Sequence, residues 1–156
     1  MIHDHPHVVP VAHNLYVGAA PGCDDIHSHF EKVLHIWRDD HYSNSCKFVK
    51  ERLALGSVVE DSRNLVLNYR DGESLTEGMI ETAASFLKGT KETLIHCAVG
   101  QTRSPTLAVL GKLVRGANIS QAIGDVAWRI WEKRKVPVNI VYIPLKDILT
   151  WSDKRS

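Results

Sequence analysis

The sequence feature that most constrains the fold is a short apolar run that ends at a cysteine and is followed, seven residues later, by a helix start. Thr93–His96 predicts a buried strand. Ser104 and Pro105 predict the start of a helix, since proline is well tolerated in a first turn, and Gly116 predicts its end. Cys97 therefore lies at the carboxyl end of a strand, where ligands bind in open α/β sheets.

The rest of the chain alternates between apolar runs typical of strands and segments with the 3.6-residue spacing of amphipathic helices. Four further apolar runs predict strands at His7–Val11, Asn14–Gly18, Val33–Trp37 and Asn64–Tyr69. Helical spacing predicts helices at Ser74–Leu87, Ser43–Leu55, Ile119–Trp131 and around Leu145–Trp151, with Ser74 and Glu77 as a capping box and Trp128 and Trp131 in the core and at its rim. We therefore expect one α/β domain over residues 1–156, with a mainly parallel central sheet of about four to five strands flanked by helices.

Composition excludes several classes of function. With 19 basic and 18 acidic residues the net charge is +1, so no global field favours nucleic acid or an anionic membrane as partner. Three widely spaced cysteines form neither a disulfide framework nor a metal pair, which favours a reducing, cytoplasmic location. We find no signal peptide or membrane-spanning run, and oligomeric state stays open. The basic cluster Lys133–Lys135 is interpreted as a solvated helix end.

The loop after Cys97 has the composition of an anion-binding site. A tight turn between a strand end and a helix start points successive backbone N–H groups inward, and the helix adds the positive end of its dipole. Gly100 allows close backbone approach, and the planar fork of Arg103 binds two phosphate oxygens at once. The same positive environment favours the nucleophilic thiolate of Cys97. The other phosphate-binding positions are Ala98, Val99, Gln101 and Thr102.

The neighbours of the loop have alternative interpretations. The Ser104 hydroxyl can assist departure of the thiolate in a hydrolytic step, or cap the helix, or both. His96 is predicted to be a structural, hydrogen-bonded histidine that shapes the environment of the thiol. Cys97 as an inert buried cysteine is the other interpretation, but it leaves Gly100 and Arg103 unexplained.

The stretch His96-Cys97-x5-Arg103-Ser104, with Gly100 inside it, resembles the signature of the protein tyrosine phosphatase superfamily. The sequence of Gly100–Thr106 and the short length of the chain are most similar to those of its dual-specificity branch. Asn14–Ala19 and Asn64–Asp71 resemble, more weakly, an early strand and the acid-bearing segment of that branch. The resemblance implies a phosphate monoester hydrolase that forms a phosphocysteine intermediate and needs no cofactor and no metal.

A general acid is also required, because the leaving oxygen must be protonated. The resemblance implies an aspartate on a loop upstream of the cysteine, and Asp71 follows a predicted strand and precedes a predicted helix. Glu73 is the nearest alternative and Asp61 a more distant one. Asp71-Gly72 is also a common turn pair.

The loop positions 98–102 carry no lysine or arginine, which favours phosphoprotein substrates over polyphosphorylated headgroups. We expect phosphotyrosine first, with phosphoserine and phosphothreonine as candidates. The alternatives are an RNA 5′-phosphatase, disfavoured by the near-neutral charge, a phosphate-reading binding module without turnover, and a cysteine-based reductase or sulfurtransferase. Cys46 or Cys23 could regulate Cys97 by disulfide formation.

Overall fold

The central element of the computed structural model is a six-stranded sheet with the strand order β1-β2-β6-β3-β5-β4. The structure describes residues 8–19, 29–37, 59–60, 62–68, 74–97, 103–138, 140 and 142–155. The strands are β1 (Val8–Ala12), β2 (Leu15–Ala19), β3 (Lys32–Trp37), β4 (Val59–Glu60), β5 (Asn64–Asn68) and β6 (Thr93–Cys97).

The four inner strands β2, β6, β3 and β5 are parallel, whereas β1 and β4 add antiparallel edges. The predicted α/β fold with a mainly parallel sheet is therefore confirmed. The sheet has more strands than expected, since β4 has only two residues and carries no readable alternation. All four parallel strands end at one edge of the sheet, which we call the carboxyl edge.

Four helices are described: α1 (Glu77–Leu87), α2 (Arg103–Val114), α3 (Ile119–Arg134) and α4 (Tyr142–Asp153). Helix α2 is the most buried, with every residue from Arg103 to Lys112 buried, because it packs against the sheet and the other three helices. Gly111 faces β2 so closely that a Cβ atom there would lie 3.1 Å from Leu15. Gly116 has φ 103°, which explains why glycine follows α2. None of the helices in these ranges is long and apolar enough to cross a membrane.

The two faces of the sheet bury different sets of side chains. Residues such as Ile95, Leu34 and Val17 join the cluster that packs under the helices, which we call the helix face. Alternate residues point the other way, to what we call the second face, because successive side chains of a strand alternate. The second face buries a smaller apolar cluster made of Val8, Tyr16, Phe30, Val33 and Leu94.

At the edge opposite the carboxyl edge, the guanidinium group of Arg115 donates hydrogen bonds to several chain segments. Arg115, just beyond α2, is partly buried, and burial lowers the pKa of its guanidinium. It joins the end of α1, the β1–β2 turn and the start of β6 through bonds of 3.0–3.4 Å to the carbonyl groups of Leu87, His13, Asn14 and Lys91 and to the hydroxyl of Thr93. Nearby, the Lys112 ammonium donates to the Val11 carbonyl at 2.9 Å.

Two details of the helices differ from the prediction. Helix α1 is capped by Thr76, whose hydroxyl accepts from the Met79 N–H at 3.1 Å. Ser74 instead donates to Asp147 on α4 at 2.8 Å, so the predicted capping box is wrong. The predicted helix Ser43–Leu55 lies outside the described residues.

The second difference concerns the tryptophan residues of α3. Trp128 is 61% exposed and Trp131 is 46% exposed, so neither belongs to the core. The fully buried stripe of α3 is narrower than its apolar pattern and consists of Ala122, Val126 and Ile130. Only this narrow stripe is fully buried because α3 packs on one side against α2 and β1.

Candidate active site

Cys97 is the last residue of β6 and lies at the carboxyl edge between β2 and β3. It pairs in register with Ala19 of β2. The side chain is 2% exposed and belongs to the cluster of the helix face. The strand thus delivers the sulfur to the side of the sheet on which α2 begins.

Arg103 is the first residue of α2 and is only 4% exposed. A guanidinium that has lost nearly all of its water is stable only when polar or anionic groups surround it. The following residue donates its backbone N–H to the sulfur of Cys97 at 3.4 Å. The positive end of α2 therefore points at Cys97 and favours a negative charge there.

Ser104 is fully buried and makes two further contacts with its hydroxyl. The oxygen lies 3.3 Å from the sulfur of Cys97, and the hydroxyl donates to the Gly18 carbonyl of β2 at 3.3 Å. When Cys97 is a thiol, its S–H donates to the hydroxyl oxygen. When Cys97 is a thiolate, the same hydroxyl can turn its proton to the sulfur. The hydroxyl does not accept a bond from the α2 backbone, so the capping role is not observed.

His96 lies on the second face, opposite to Cys97, and is fully buried. Its Nε2 is 2.6 Å from Nδ1 of His35 on β3, and Nε2 of His35 is 3.3 Å from the side-chain oxygen of Asn64 on β5. The two rings meet edge to face with centroids 4.5 Å apart. The predicted hydrogen-bonded histidine thus has a partner that the sequence did not reveal.

The C-terminal end of α3 returns to the carboxyl edge. Lys133 donates to the carbonyl of Val8, which lies in the same cross-strand row as Gly18 and His96. Arg134 follows it. Burial lowers the pKa of the Arg134 guanidinium, and the negative charge of Cys97 acts in the opposite direction. The two groups therefore interact electrostatically. The cluster lies at the end of α3, as predicted, with Lys133 and Arg134 half-buried and Lys135 exposed.

Several predicted site residues lie outside the described residues. They are the loop positions Ala98, Val99, Gly100, Gln101 and Thr102, the candidate acids Asp71, Glu73 and Asp61, and the cysteines Cys23 and Cys46. The strand before Asp71 is described: β5 ends at Asn68 on the carboxyl edge, two strands away from β6. Within the described ranges, no group of three histidine, cysteine or acidic side chains is arranged to hold a metal ion.

The described geometry joins a buried sulfur, a helix N-terminus, a hydroxyl and two guanidinium groups. Sulfur is a good nucleophile when ionised, and the positive charges at the start of α2 and on Arg134 favour a bound oxyanion. The residues that sequence reasoning missed are His35, Asn64 and Arg134. The order of the strands brings His35 and Asn64 to the site, and the direction of α3 brings Arg134 there. No local sequence pattern predicts the strand order or the helix direction.

No protein-family model matches the sequence, and no curated protein sequence is similar to it. Solved structures, in contrast, match nearly the whole chain. The human tyrosine phosphatase-like serine/threonine/tyrosine-interacting protein is 15% identical with a TM-score of 0.68, covering 97% of this chain and 99% of its own. A mouse putative dual specificity phosphatase complexed with zinc tungstate is 15% identical with a TM-score of 0.60, covering 96% and 89%. PTPMT1 in complex with PI(5)P is 16% identical with a TM-score of 0.62, covering 94% and 95%.

The chain therefore has the fold of the protein tyrosine phosphatase superfamily. The fold has the compact form that these dual-specificity-like structures share. The resemblance inferred from residues 96–106 is confirmed at the level of the fold.

Proposed function

We propose that this protein is a cysteine-dependent phosphatase that hydrolyses phosphate monoesters of proteins. The observation that carries the proposal is the sulfur of Cys97 at the carboxyl edge, contacted by both the N–H and the hydroxyl of Ser104 at the start of α2. An inert buried cysteine needs neither contact. Arg103, the buried first residue of α2, and the charge of Arg134 add the positive field that a phosphate dianion requires.

In the first step the thiolate of Cys97 attacks phosphorus. The S–P bond forms while the P–O bond to the leaving group breaks, and the leaving oxygen takes a proton from the general acid. Asp71 is the proposed acid, with Glu73 as the alternative. Arg103 and the N–H groups of the loop stabilise the charge on the three equatorial oxygens.

In the second step water attacks the phosphocysteine. The O–P bond forms, the S–P bond breaks, and the carboxylate produced in the first step takes the proton of the water. The sulfur leaves as a thiolate, to which the Ser104 hydroxyl can donate from 3.3 Å. The site is then restored without any cofactor.

Phosphotyrosine is the proposed preferred substrate. Cys97 is 2% exposed, so the phosphate must travel inward, and the long tyrosine side chain carries its phosphate further from the peptide than serine does. The uncharged side chains of residues 98–102 support a single phosphate rather than a polyphosphorylated headgroup. The proposed location is a reducing compartment, which a thiolate nucleophile requires.

The test is hydrolysis of an aryl phosphate, a phosphotyrosine peptide, a phosphoserine peptide, PI(5)P and an RNA 5′-phosphate, each with chelator and without added metal. We expect the phosphotyrosine peptide to be the best of the biological esters. Cys97→Ser should abolish turnover yet still bind vanadate, because Arg103 and the helix N-terminus remain. Turnover by Cys97→Ser would refute the nucleophile, and phosphopeptide binding without turnover by the wild type would identify a binding module instead.

A further inference from the structure

Helix α3 presents an apolar patch to solvent. Its side chains Trp128 and Trp131 are exposed, and together with Ile143 they are the exposed large apolar side chains among the described residues. The two tryptophans lie three residues apart, so they share one face of the helix. Neighbouring exposed apolar side chains mark an interaction surface more often than single ones do. This face of α3 is therefore a candidate interface.

Gly124 lies on the same face, one turn before Trp128, and is itself exposed. A Cβ atom added to Gly124 would meet no described side chain and no other described element within 4 Å. The described glycines with positive φ are Gly89 and Gly116, so the backbone does not require glycine at this position either. Glycine disfavours a helix interior compared with alanine. Its effect on the surface of α3 is a notch beside the tryptophans.

The ring of Trp128 and the notch at Gly124 make this face complementary to itself. They lie four residues, or about 6 Å, apart along the helix axis. A two-fold axis perpendicular to α3 and level with Val126 brings Trp128 of one protomer opposite the partner's Gly124, and the reverse contact forms at the same time. Trp131 then lies level with the partner's Gln121. Two-fold dimers are the commonest symmetric oligomers, and every contact in them is made twice.

Charge favours this antiparallel arrangement of the two helices. A parallel pairing would place the basic clusters Lys133–Lys135 of both copies side by side, whereas the antiparallel pairing keeps them about 24 Å apart along the axis. The antiparallel pairing also brings Glu132 level with the partner's Ser120. That residue lies in the first turn of α3, which contains no acidic residue of its own. The positive end of the helix dipole favours a carboxylate there.

We propose that the face formed by Gly124, Trp128 and Trp131 is the interface of a homodimer, in which Trp128 of each protomer fills the notch at the partner's Gly124. With 61% and 46% of their surfaces exposed, the two tryptophans supply roughly 150–250 Å² per protomer. A standard interface buries about 800 Å² per partner, so the rings form its centre and the polar residues around them form its rim. Because this apolar centre is small, we expect a dissociation constant in the micromolar range.

Two variants test the two halves of the contact separately. Trp128→Ala removes the ring, and Gly124→Gln fills the notch. Each should raise the dissociation constant by about 30-fold, because aromatic side chains at the centre of an interface contribute most to binding. Gly124→Gln should at the same time raise the Tm of the dilute monomer by about 1–3 °C, since glutamine favours a helix more than glycine does. Weaker association of a more stable protomer cannot result from general destabilisation.

The matched control is Gly78→Gln. Gly78 is another exposed helical glycine without a neighbour within 4 Å, but it lies on α1. The same substitution there should leave the dissociation constant unchanged. Sedimentation velocity over a range of protein concentrations measures the dissociation constant, and thermal unfolding checks that each variant folds.

Mixing the two variants tests the pairing itself. A dimer of Trp128→Ala alone and a dimer of Gly124→Gln alone each keep no contact between a ring and a notch. A mixed dimer keeps one, because the ring of the Gly124→Gln protomer meets the open notch of the Trp128→Ala protomer. The equimolar mixture should therefore associate about fivefold more tightly than either variant alone, since one of the two symmetric contacts is restored.

A wild-type protein that stays monomeric at about 1 mM would overturn the proposal, as would equal dissociation constants for the wild type and both variants. A mixture that associates no more tightly than its components would refute the contact between Trp128 and Gly124. If a monomeric wild type instead sediments with vesicles of phosphatidylcholine and phosphatidylserine, and Trp128→Ala does not, the face binds membranes and the dimer is refuted. Association requires no turnover, so hydrolysis of an aryl phosphate by the same samples bears on the proposed function alone.

Discussion

Replacing Ser104 by alanine should slow the second chemical step more than the first. The hydroxyl lies 3.3 Å from the sulfur of Cys97, while the backbone N–H of the same residue, 3.4 Å from the sulfur, is retained in the variant. In the first step the thiolate is consumed, so losing one donor costs little. In the second step the thiolate is the leaving group, and a donor stabilises it as charge develops.

The magnitude follows from one hydrogen bond to a charged atom. Such a bond contributes about 1.5–3 kcal/mol, which corresponds to about a 10- to 150-fold decrease in the rate of phosphocysteine hydrolysis. The hydrogen bond to the Gly18 carbonyl is also lost, which should lower the free energy of unfolding by about 1 kcal/mol. The variant should therefore fold and should accumulate the covalent intermediate.

Rapid mixing with an activated aryl phosphate tests this expectation. We expect Ser104→Ala to release about one equivalent of phenol in a burst, followed by a slow steady state, and mass spectrometry of the quenched burst to show phosphate on Cys97. Thr106→Val, which removes another buried hydroxyl of α2, is the control for packing. A lowered kcat without a burst, or an unchanged kcat, would refute the assigned role of the hydroxyl.

Three further outcomes are expected. Arg103→Lys should lower kcat/KM for aryl phosphate by about 10²–10³-fold, since a point charge cannot replace a fork with two parallel donors; near-normal kinetics would contradict the role of the guanidinium. Asp71→Asn should slow alkyl and tyrosyl phosphate hydrolysis by about 10²–10⁴-fold, with a loss that shrinks as the leaving group becomes more acidic, whereas Glu73→Gln should change little; the reverse result would identify Glu73 as the acid. Burial, and then Glu92, raise the pKa of Tyr16 from 10.0. The stability that this shift contributes is therefore complete below pH 10.0 and is lost as the pH rises through the pKa of the folded state. In urea unfolding, Tyr16→Phe should lack this loss of stability at alkaline pH, and an unchanged loss would assign it to another group.

The sequence predicted those elements whose signal is local. Strand β6 and helix α2 are encoded by an apolar run, a cysteine, a proline in the first turn and a glycine after the last, all within 24 residues from Thr93 to Gly116. Local chemistry also brings Cys97, Arg103 and Ser104 together, because one short connection joins the strand to the helix. These are the parts of the site that sequence reasoning identified.

Local patterns gave wrong predictions where residues distant in sequence determine the contacts of a side chain. The side chain of Ser74 was predicted to cap α1, but α1 begins only at Glu77, and the Ser74 hydroxyl donates to Asp147 of α4, 73 residues away. Thr76 caps the helix instead. The apolar stripe that predicted a buried Trp131 is real, but its width exceeds the surface available to α3. Periodicity reports which side chains share a face and not how much of that face is covered.

The residues around the nucleophile that were missed depend on topology. His35 and Asn64 meet His96 only because β3 lies between β6 and β5, an order that sequence patterns do not give. Arg134 reaches the carboxyl edge because α3 runs back along α2, which places its last turn near the start of its neighbour. Predicting these contacts requires the strand order and the helix directions first.

Arg115 bears on the rates at which this chain folds and unfolds. Its partners are distant in sequence: 28 residues for Leu87, 22 for Thr93 and 101 for Asn14. The full set of these bonds can form only once the β1–β2 turn, the end of α1 and the start of β6 have all met Arg115, so we expect the set to be completed late in folding. Contacts absent from the transition state change the unfolding rate rather than the folding rate. We therefore expect this one side chain, far from Cys97, to lengthen the lifetime of the native state without speeding its formation.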